Sequence, residues 1–240
     1  MAGQRTGVGV TAEQLGVDGP RGAVFSDVSV RAEPGSLLAL RGPSGSGRTA
    51  LLLTLTGRMR PTTGTAEVGG QSLPRRAAAV RRFAALGPVP GITDPEPSLS
   101  VAETLRERAL LLHRFGGSLP PLRQRRGRNG DAPAERRAEA LATAGLDLRD
   151  LPSGPRTRIR ELGRPQEFRL GVALALLGRP RLLAVDDVGL KLDAAEEARM
   201  WTLLSEVAAT GVTVVAVGDP PPSSTGDGIT LVTIGAGRDA

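Results

Sequence analysis

The chain has 240 residues, a formal net charge of +6 and no cysteine, which leaves room for a full core and excludes a disulfide framework or a thiolate metal centre. No apolar run approaches the roughly 20 residues needed to cross a bilayer, and Met1-Ala2-Gly3-Gln4-Arg5 carries no apolar signal core, so a soluble intracellular protein is expected. The basic side is almost wholly arginine, with Lys191 the one lysine and aromatics at 2%. That is the composition of a GC-rich genome such as an actinobacterial one, and arginines dispersed apart from Arg123 to Arg128, with few stacking aromatics, argue against nucleic acid as a partner.

Residues 8–12 alternate weakly and predict a first strand, 16–22 read as turn, and 23–31 alternate through Val24, Val28 and Val30, together a small antiparallel sheet. Glu33-Pro34-Gly35 then turns the chain into a short buried strand, Ser36-Leu37-Leu38-Ala39-Leu40. Next comes Gly42-Pro43-Ser44-Gly45-Ser46-Gly47-Arg48-Thr49, and the helix continuing through Ala50 follows at once. A glycine-rich loop between strand and helix lets successive backbone N–H groups converge beside the positive end of the helix dipole, and both favour a polyphosphate. The pattern G-x-x-x-x-G-K-[ST] makes Thr49 the hydroxyl for Mg²⁺ and asks for lysine where Arg48 stands.

Gly57 and Pro61 end that helix, 64–68 predicts a strand closed by a Gly69-Gly70 hairpin, 73–82 a short basic helix and 83–86 a strand. Gly87-Pro88-Val89-Pro90-Gly91 is irregular. Ser100 and Glu103 have capping-box spacing at the start of a helix over 101–115. The Gly-, Pro- and Arg-rich stretch 116–133 predicts a mobile insertion, 134–144 a helix and 155–162 an irregular segment. A helix opens at Pro165 or Gln166 and runs to 177. Leu182-Leu183-Ala184-Val185 is an apolar strand ending in Asp186-Asp187, the end at which open α/β sheets bind ligands, where a carboxylate holds Mg²⁺ through water. A helix over 194–209 and strands over 213–217 and 229–234 complete the chain. Trp201 and Phe168 read as core, and His113 as a surface residue.

In order and spacing these motifs resemble an ATP-binding-cassette (ABC) nucleotide-binding domain over nearly the whole chain. The loop Gly42 to Thr49 is similar to the family's first motif, 180–187 to the second, Leu192-Asp193 to the D-loop, and Ser98-Leu99-Ser100-Val101-Ala102-Glu103-Thr104-Leu105 to the start of its helical subdomain. The resemblance implies a P-loop NTPase core with an N-terminal antiparallel β subdomain and an inserted helical subdomain. Core and β subdomain would take 1–90 and 179–240, and the helical part 91–178 with its flexible segment 116–133. It implies ATP and Mg²⁺ as cofactors, with Thr49 and Asp186 on the metal, and Asp187 and Asp219 in the catalytic positions.

Departures from the family pattern cluster at the catalytic and signature positions. The signature Leu-Ser-Gly-Gly-Gln is replaced by Leu162-Gly163-Arg164-Pro165-Gln166, so the serine is missing and Pro165 has no N–H. Asp187 replaces the water-polarising glutamate and is one methylene shorter, a shift that can cost ~10²-fold. Asp219 stands at the switch histidine, Gly91 at the Q-loop glutamine, and nothing between Thr11 and Gly22 matches the adenine-stacking aromatic. Arg48 keeps the charge of the loop lysine but is larger and planar. In the family two domains face head to tail and share each site, so neither a homodimer nor a heterodimer with another ABC ATP-binding chain assembles a complete one. The resemblance implies an ATP-binding subunit with weak hydrolysis, peripheral at the inner face of the cell membrane, acting on a separately encoded permease. The alternatives are a non-hydrolysing regulatory or structural nucleotide sensor and, less favoured, a nucleic-acid-associated ABC factor.

Overall fold

The computed structural model describes residues 7–20, 22–115, 132–220 and 229–235. The insertion expected over 116–133 lies almost wholly outside the described residues. Two sheets organise the rest. Strands β1 (Val10–Gly19), β2 (Gly22–Ala32), β4 (Thr63–Val68) and β5 (Gln71–Leu73) form an antiparallel sheet in the order β2-β1-β4-β5. Strands β3 (Leu37–Arg41), β6 (Ala84–Leu86), β7 (Leu182–Val185), β8 (Thr213–Val217) and β9 (Ile229–Thr233) form a parallel sheet in the order β6-β7-β8-β3-β9. The expected P-loop architecture is therefore present.

The apolar runs read from the sequence are the central parallel strands, and they are apolar throughout because both of their faces are covered. Side chains alternate across the sheet. Leu37 and Ala39, Leu183 and Val185, and Val214 and Ala216 join one core cluster. Leu38 and Leu40, Leu182 and Ala184, and Val215 and Val217 join the other. The second cluster is completed by helix α1 (Arg48–Leu55) and the inner face of the antiparallel sheet. Helices α3 (Val101–Phe115), α4 (Ala132–Thr143), α5 (Arg164–Leu176) and α6 (Ala194–Ala209) supply the first, with Trp201 and Phe168 fully buried. His113 is exposed. Both helix starts with Ser/Asp and a later glutamate are capped as boxes: Ser100 with Glu103, and Asp193 with Glu196.

Two expectations are corrected. Residues 16–22 are not turn throughout, since β1 runs on to Gly19. Its register against β2 shifts after Ala12, Leu15 and Val17; such bulges absorb residues that break simple alternation, while Leu15 and Val17 stay buried. Helix α2 (Ala77–Phe83) starts later than Leu73, because Leu73 is buried and paired with Ala66 at the end of β5.

One buried hydroxyl joins the two sheets. Thr213 Oγ1 accepts hydrogen bonds from Val8 N and Gly35 N, both at 2.9 Å, and donates to Val8 O at 2.8 Å. Thr213 and Val8 are fully buried, so no water replaces the two bonds to Val8. Substitution Thr213→Val keeps the shape and strands three backbone groups. We expect it to destabilise the protein by about 2–4 kcal/mol, read as a lower denaturation midpoint in the emission of Trp201.

Candidate functional site

In a parallel sheet all C-terminal strand ends lie on one edge. Here that edge carries the loop 42–49 after β3, Asp186 and Asp187 after β7, Gly218 and Asp219 after β8, and Gly87 to Gly91 after β6. The loop takes its shape from its glycines. Gly47, at the N-cap of α1, has φ 83°, and a Cβ there would lie 2.4 Å from Val24 O. A Cβ on Gly42 would lie 2.4 Å from Ile234 O. Gly45, with φ 81°, faces open space. No side chain caps α1 and its first turn holds no acidic residue, so the N–H groups that a helix start leaves unpaired are available to an anion. Ser46 Oγ is buried beneath the loop without a hydrogen-bond partner among the described residues.

Thr49 and Asp186, 137 positions apart, meet here: Thr49 Oγ1 donates to Asp186 Oδ2 at 2.6 Å. Asp186 is buried, 5% exposed, and its Oδ1 accepts from Asp187 N at 2.9 Å. Burial pushes the Asp186 carboxyl above its ordinary value. Asp187 adds to that, while the Thr49 hydroxyl, the Asp187 N–H and the Arg48 charge pull it back. A hydroxyl and a carboxylate side by side are the hard oxygen donors of a Mg²⁺ site whose other ligands are waters and phosphate oxygens. The residues present therefore suit MgATP.

The other predicted positions fall as follows. Asp187 is half-buried with φ 46°, a left-handed conformation that Asp tolerates better than most residues. Asp219 is exposed just past β8. Asp193 is spent on capping α6. Gly91 is exposed with φ 76° and donates its N–H to Asp94 Oδ2 at 2.7 Å. At the start of α5, Gly163 is the N-cap, its N–H given to Gln166 Oε1 at 3.0 Å, and Pro165 lies in the first turn. Leu162 packs against the core.

Arg164 has a role that the linear motif did not reveal. Its Nε donates to Leu190 O at 3.0 Å and its Nη1 pairs with Glu167 Oε2 at 3.0 Å. The side chain that replaces a signature glycine is thus tied to the loop that follows Asp187. The i,i+3 spacing of Arg164 and Glu167 was the available signal; the contact with Leu190 had none.

The family model described as "ABC transporter" matches residues 25–188. A Nod factor export ATP-binding protein I of Cupriavidus metallidurans is 31% identical over 192 residues, 80% of this chain and 56% of that protein. An ABC transporter ATP-binding/permease protein of Mycobacterium tuberculosis is 30% identical over 201 residues, 84% of this chain and 21% of that protein. The chain spans about half the length of the Nod factor export relatives it matches. Among solved structures, a dimeric ATP-binding cassette in a post-hydrolysis state bound to ADP and Pi superimposes with a TM-score of 0.71 at 20% identity, covering 96% of this chain and 97% of that one. The cbiO1 protein of Clostridium perfringens, part of the transporter complex cbiONQ, superimposes with a TM-score of 0.73 at 18% identity, covering 95% and 85%. These structural likenesses carry the fold.

The Asp186 shift gives a testable sign. A carboxyl raised in the folded state contributes stability below its ordinary value of 3.8, and that contribution is lost as pH rises through the raised value. Asp186→Asn removes the charge and keeps hydrogen bonds to Thr49 and Asp187 N. We expect the variant to melt higher than the parent at pH 7, the gap closing toward about pH 4, and to lose the Mg²⁺ dependence of nucleotide binding, measured by thermal melts with and without MgATP.

Proposed function

The chain belongs to the ABC transporter family, and we propose that it is the ATP-binding subunit of an ABC transporter, binding MgATP and acting on a separately encoded membrane permease. The observation that carries the reading is the hydrogen bond between Thr49 and Asp186 at 2.6 Å beneath a glycine loop on the shared edge of the parallel sheet. The transporter assignment is supported by the relatives, an export ATP-binding protein and an ATP-binding/permease protein. Among the described residues no helix is long and apolar enough to cross a membrane, in keeping with a permease on another chain and a peripheral position at the inner membrane face. The division of labour we propose is a nucleotide core over 1–90 and 179–240 and a helical subdomain over 91–178, the latter docking the permease. Two ABC ATP-binding chains, alike or different, would pair across the nucleotide.

In this reading the loop N–H groups from Gly42 to Ala50 take the phosphates, and Arg48 offsets their charge. Thr49 and Asp186 hold the cation. Mg²⁺, when bound, neutralises charge on the terminal phosphates. Asp187 orients the attacking water from a carboxylate one methylene short. Asp219, where the family places a histidine, presents negative charge in place of a donor. The α5 start offers no serine hydroxyl and one N–H fewer, because Pro165 has none. Binding is thus supported by intact parts and hydrolysis by altered ones.

A second reading, a non-hydrolysing sensor or structural subunit, is favoured by one observation. Arg164 is held by Leu190 O and Glu167 within its own chain, so the signature position is occupied by an internal tie and not left open to a partner's nucleotide.

Calorimetry with MgATP tests the binding claim: we expect a Kd of about micromolar order, lost in Arg48→Ala. No binding by the parent chain at millimolar ATP overturns it. A steady-state assay then divides the two readings. Turnover below ~1 s⁻¹, abolished by Asp187→Asn, supports the weakly hydrolysing subunit; no turnover in the presence of bound MgATP supports the sensor.

A further inference from the structure

The segment that follows β7 has a strained backbone. Asp187 has φ 46° and Lys191 φ 59°, two of the five non-glycine residues with positive φ among the described ones. Residues with a Cβ keep that conformation where the surrounding contacts dictate the path. Two overlapping turns make up the segment: Leu190 N donates to Asp187 O at 3.0 Å, and Leu192 N to Gly189 O at 3.2 Å.

Three neighbours hold it from outside. Val188 N donates to Val217 O, at the end of β8, at 3.0 Å. Gly189 lies against α6, where a Cβ would come within 2.7 Å of the Glu197 carboxyl group. Leu190 O accepts from Arg164 Nε at 3.0 Å. This third hold differs in kind from the other two. It is one side chain, 21% exposed, that reaches across from the start of α5, and Glu167 Oε2 steadies its Nη1 at 3.0 Å.

The route from Arg164 to Asp187 is short. The guanidinium fixes Leu190 O, and the N–H of the same residue fixes Asp187 O. Two hydrogen bonds therefore separate a side chain on α5 from the backbone of Asp187. A guanidinium is a rigid planar fork, so it sets direction as well as distance. The rotamers open to Asp187 depend on its φ and ψ, so the turn decides where the carboxylate points. A carboxylate on a short side chain has little reach with which to absorb a misplaced backbone.

We propose that Arg164 is a positioning residue for Asp187: by fixing Leu190 O it maintains the left-handed backbone from which the Asp187 carboxylate faces the terminal phosphate of a bound nucleotide. This rests on the reading of the edge site as a MgATP site. It adds that the residue replacing a signature glycine acts on the nucleotide of its own chain and not on that of a partner.

The test needs no turnover. Calorimetry gives the affinities of the full chain for Mg²⁺ with β,γ-imido-ATP and for Mg²⁺ with ADP, and their ratio reads the Asp187 charge against the terminal phosphate. Asp187→Asn removes that repulsion and is expected to raise the preference for the triphosphate analogue by ~10-fold. Arg164→Met keeps the aliphatic stem and loses every donor. It frees the carboxylate to swing away, so the same preference should rise by ~3-fold, with no further rise in the Asp187→Asn background. An equal rise in both backgrounds overturns the proposal, as does a ratio that either single variant leaves unchanged. Amide exchange without nucleotide should speed up over residues 188–192 by ~10-fold in Arg164→Met and stay within ~2-fold in β7 and β8. Unchanged exchange over 188–192, or equal speeding in β7 and β8, also overturns it. If Arg164→Met gives no folded circular-dichroism spectrum, Arg164→Lys, a compact ammonium in place of the fork, should shift ratio and exchange in the same directions by less; no shift there overturns the proposal. A parent chain that binds neither nucleotide overturns the MgATP reading and this one with it, whereas normal binding with an unmoved ratio overturns this one alone.

Discussion

The loop at 42–49 is wedged between two backbones, and the rest of the site depends on that wedge. On one side the carbonyl of Val24, from the antiparallel sheet, sits where a Cβ of Gly47 would be. On the other the carbonyl of Ile234, just past β9, sits where a Cβ of Gly42 would be. The slot admits a bare backbone and nothing wider. Its walls belong to different sheets, so the packing of one sheet on the other sets the path of the loop, the direction of α1, and the closeness of Thr49 to Asp186. Chemistry at the edge of the parallel sheet is positioned by contacts that involve no charged side chain.

This explains how much could be read in advance. Strands β3, β7 and β8 announce themselves as unbroken apolar runs because each is covered on both faces. The glycine loop and Asp186 are linear signals: they sit at the ends of those strands, and strand ends were legible. Gly16 and Gly19 look like turn residues and predict a shorter β1, whereas the sheet takes them up in irregular register. The sequence predicts α2 from Leu73, but that residue, apolar in either setting, is claimed by its pairing with Ala66. Side chains acting across distant segments left no pattern at all. Arg164 reaches Leu190, 26 positions on, and Arg108 reaches Leu174, 66 positions on. No periodicity encodes such a contact, and only the packing of α3 and α5 against their neighbours creates it.

The altered residues are unevenly spread. Everything on the loop side survives in kind: glycines at the tight points, a cation at position 48, a hydroxyl at 49, a buried carboxylate at 186. Everything that would act on the far end of a polyphosphate has changed: a shorter acid at 187, an acid at 219, an arginine and a proline at the start of α5. Arg164 is more than a missing glycine, because it joins α5 to the loop after β7 through its own hydrogen bonds. On the proposed reading, the residues that would hold a polyphosphate keep the family pattern, and those that would act on it depart from it. Burial acts against the charge of Asp186, and a cation bound there would offset it.

Thr213 adds a constraint of a different kind. Its hydroxyl bonds to Val8, 205 positions away, and to Gly35, 178 positions away. Contacts of such separation close late, because the intervening chain must be gathered first. On a ribosome β1 and β2 are made before β8, so this bond closes only once β8 has followed. The bond that holds the sheets together is therefore also one that the chain can make only late.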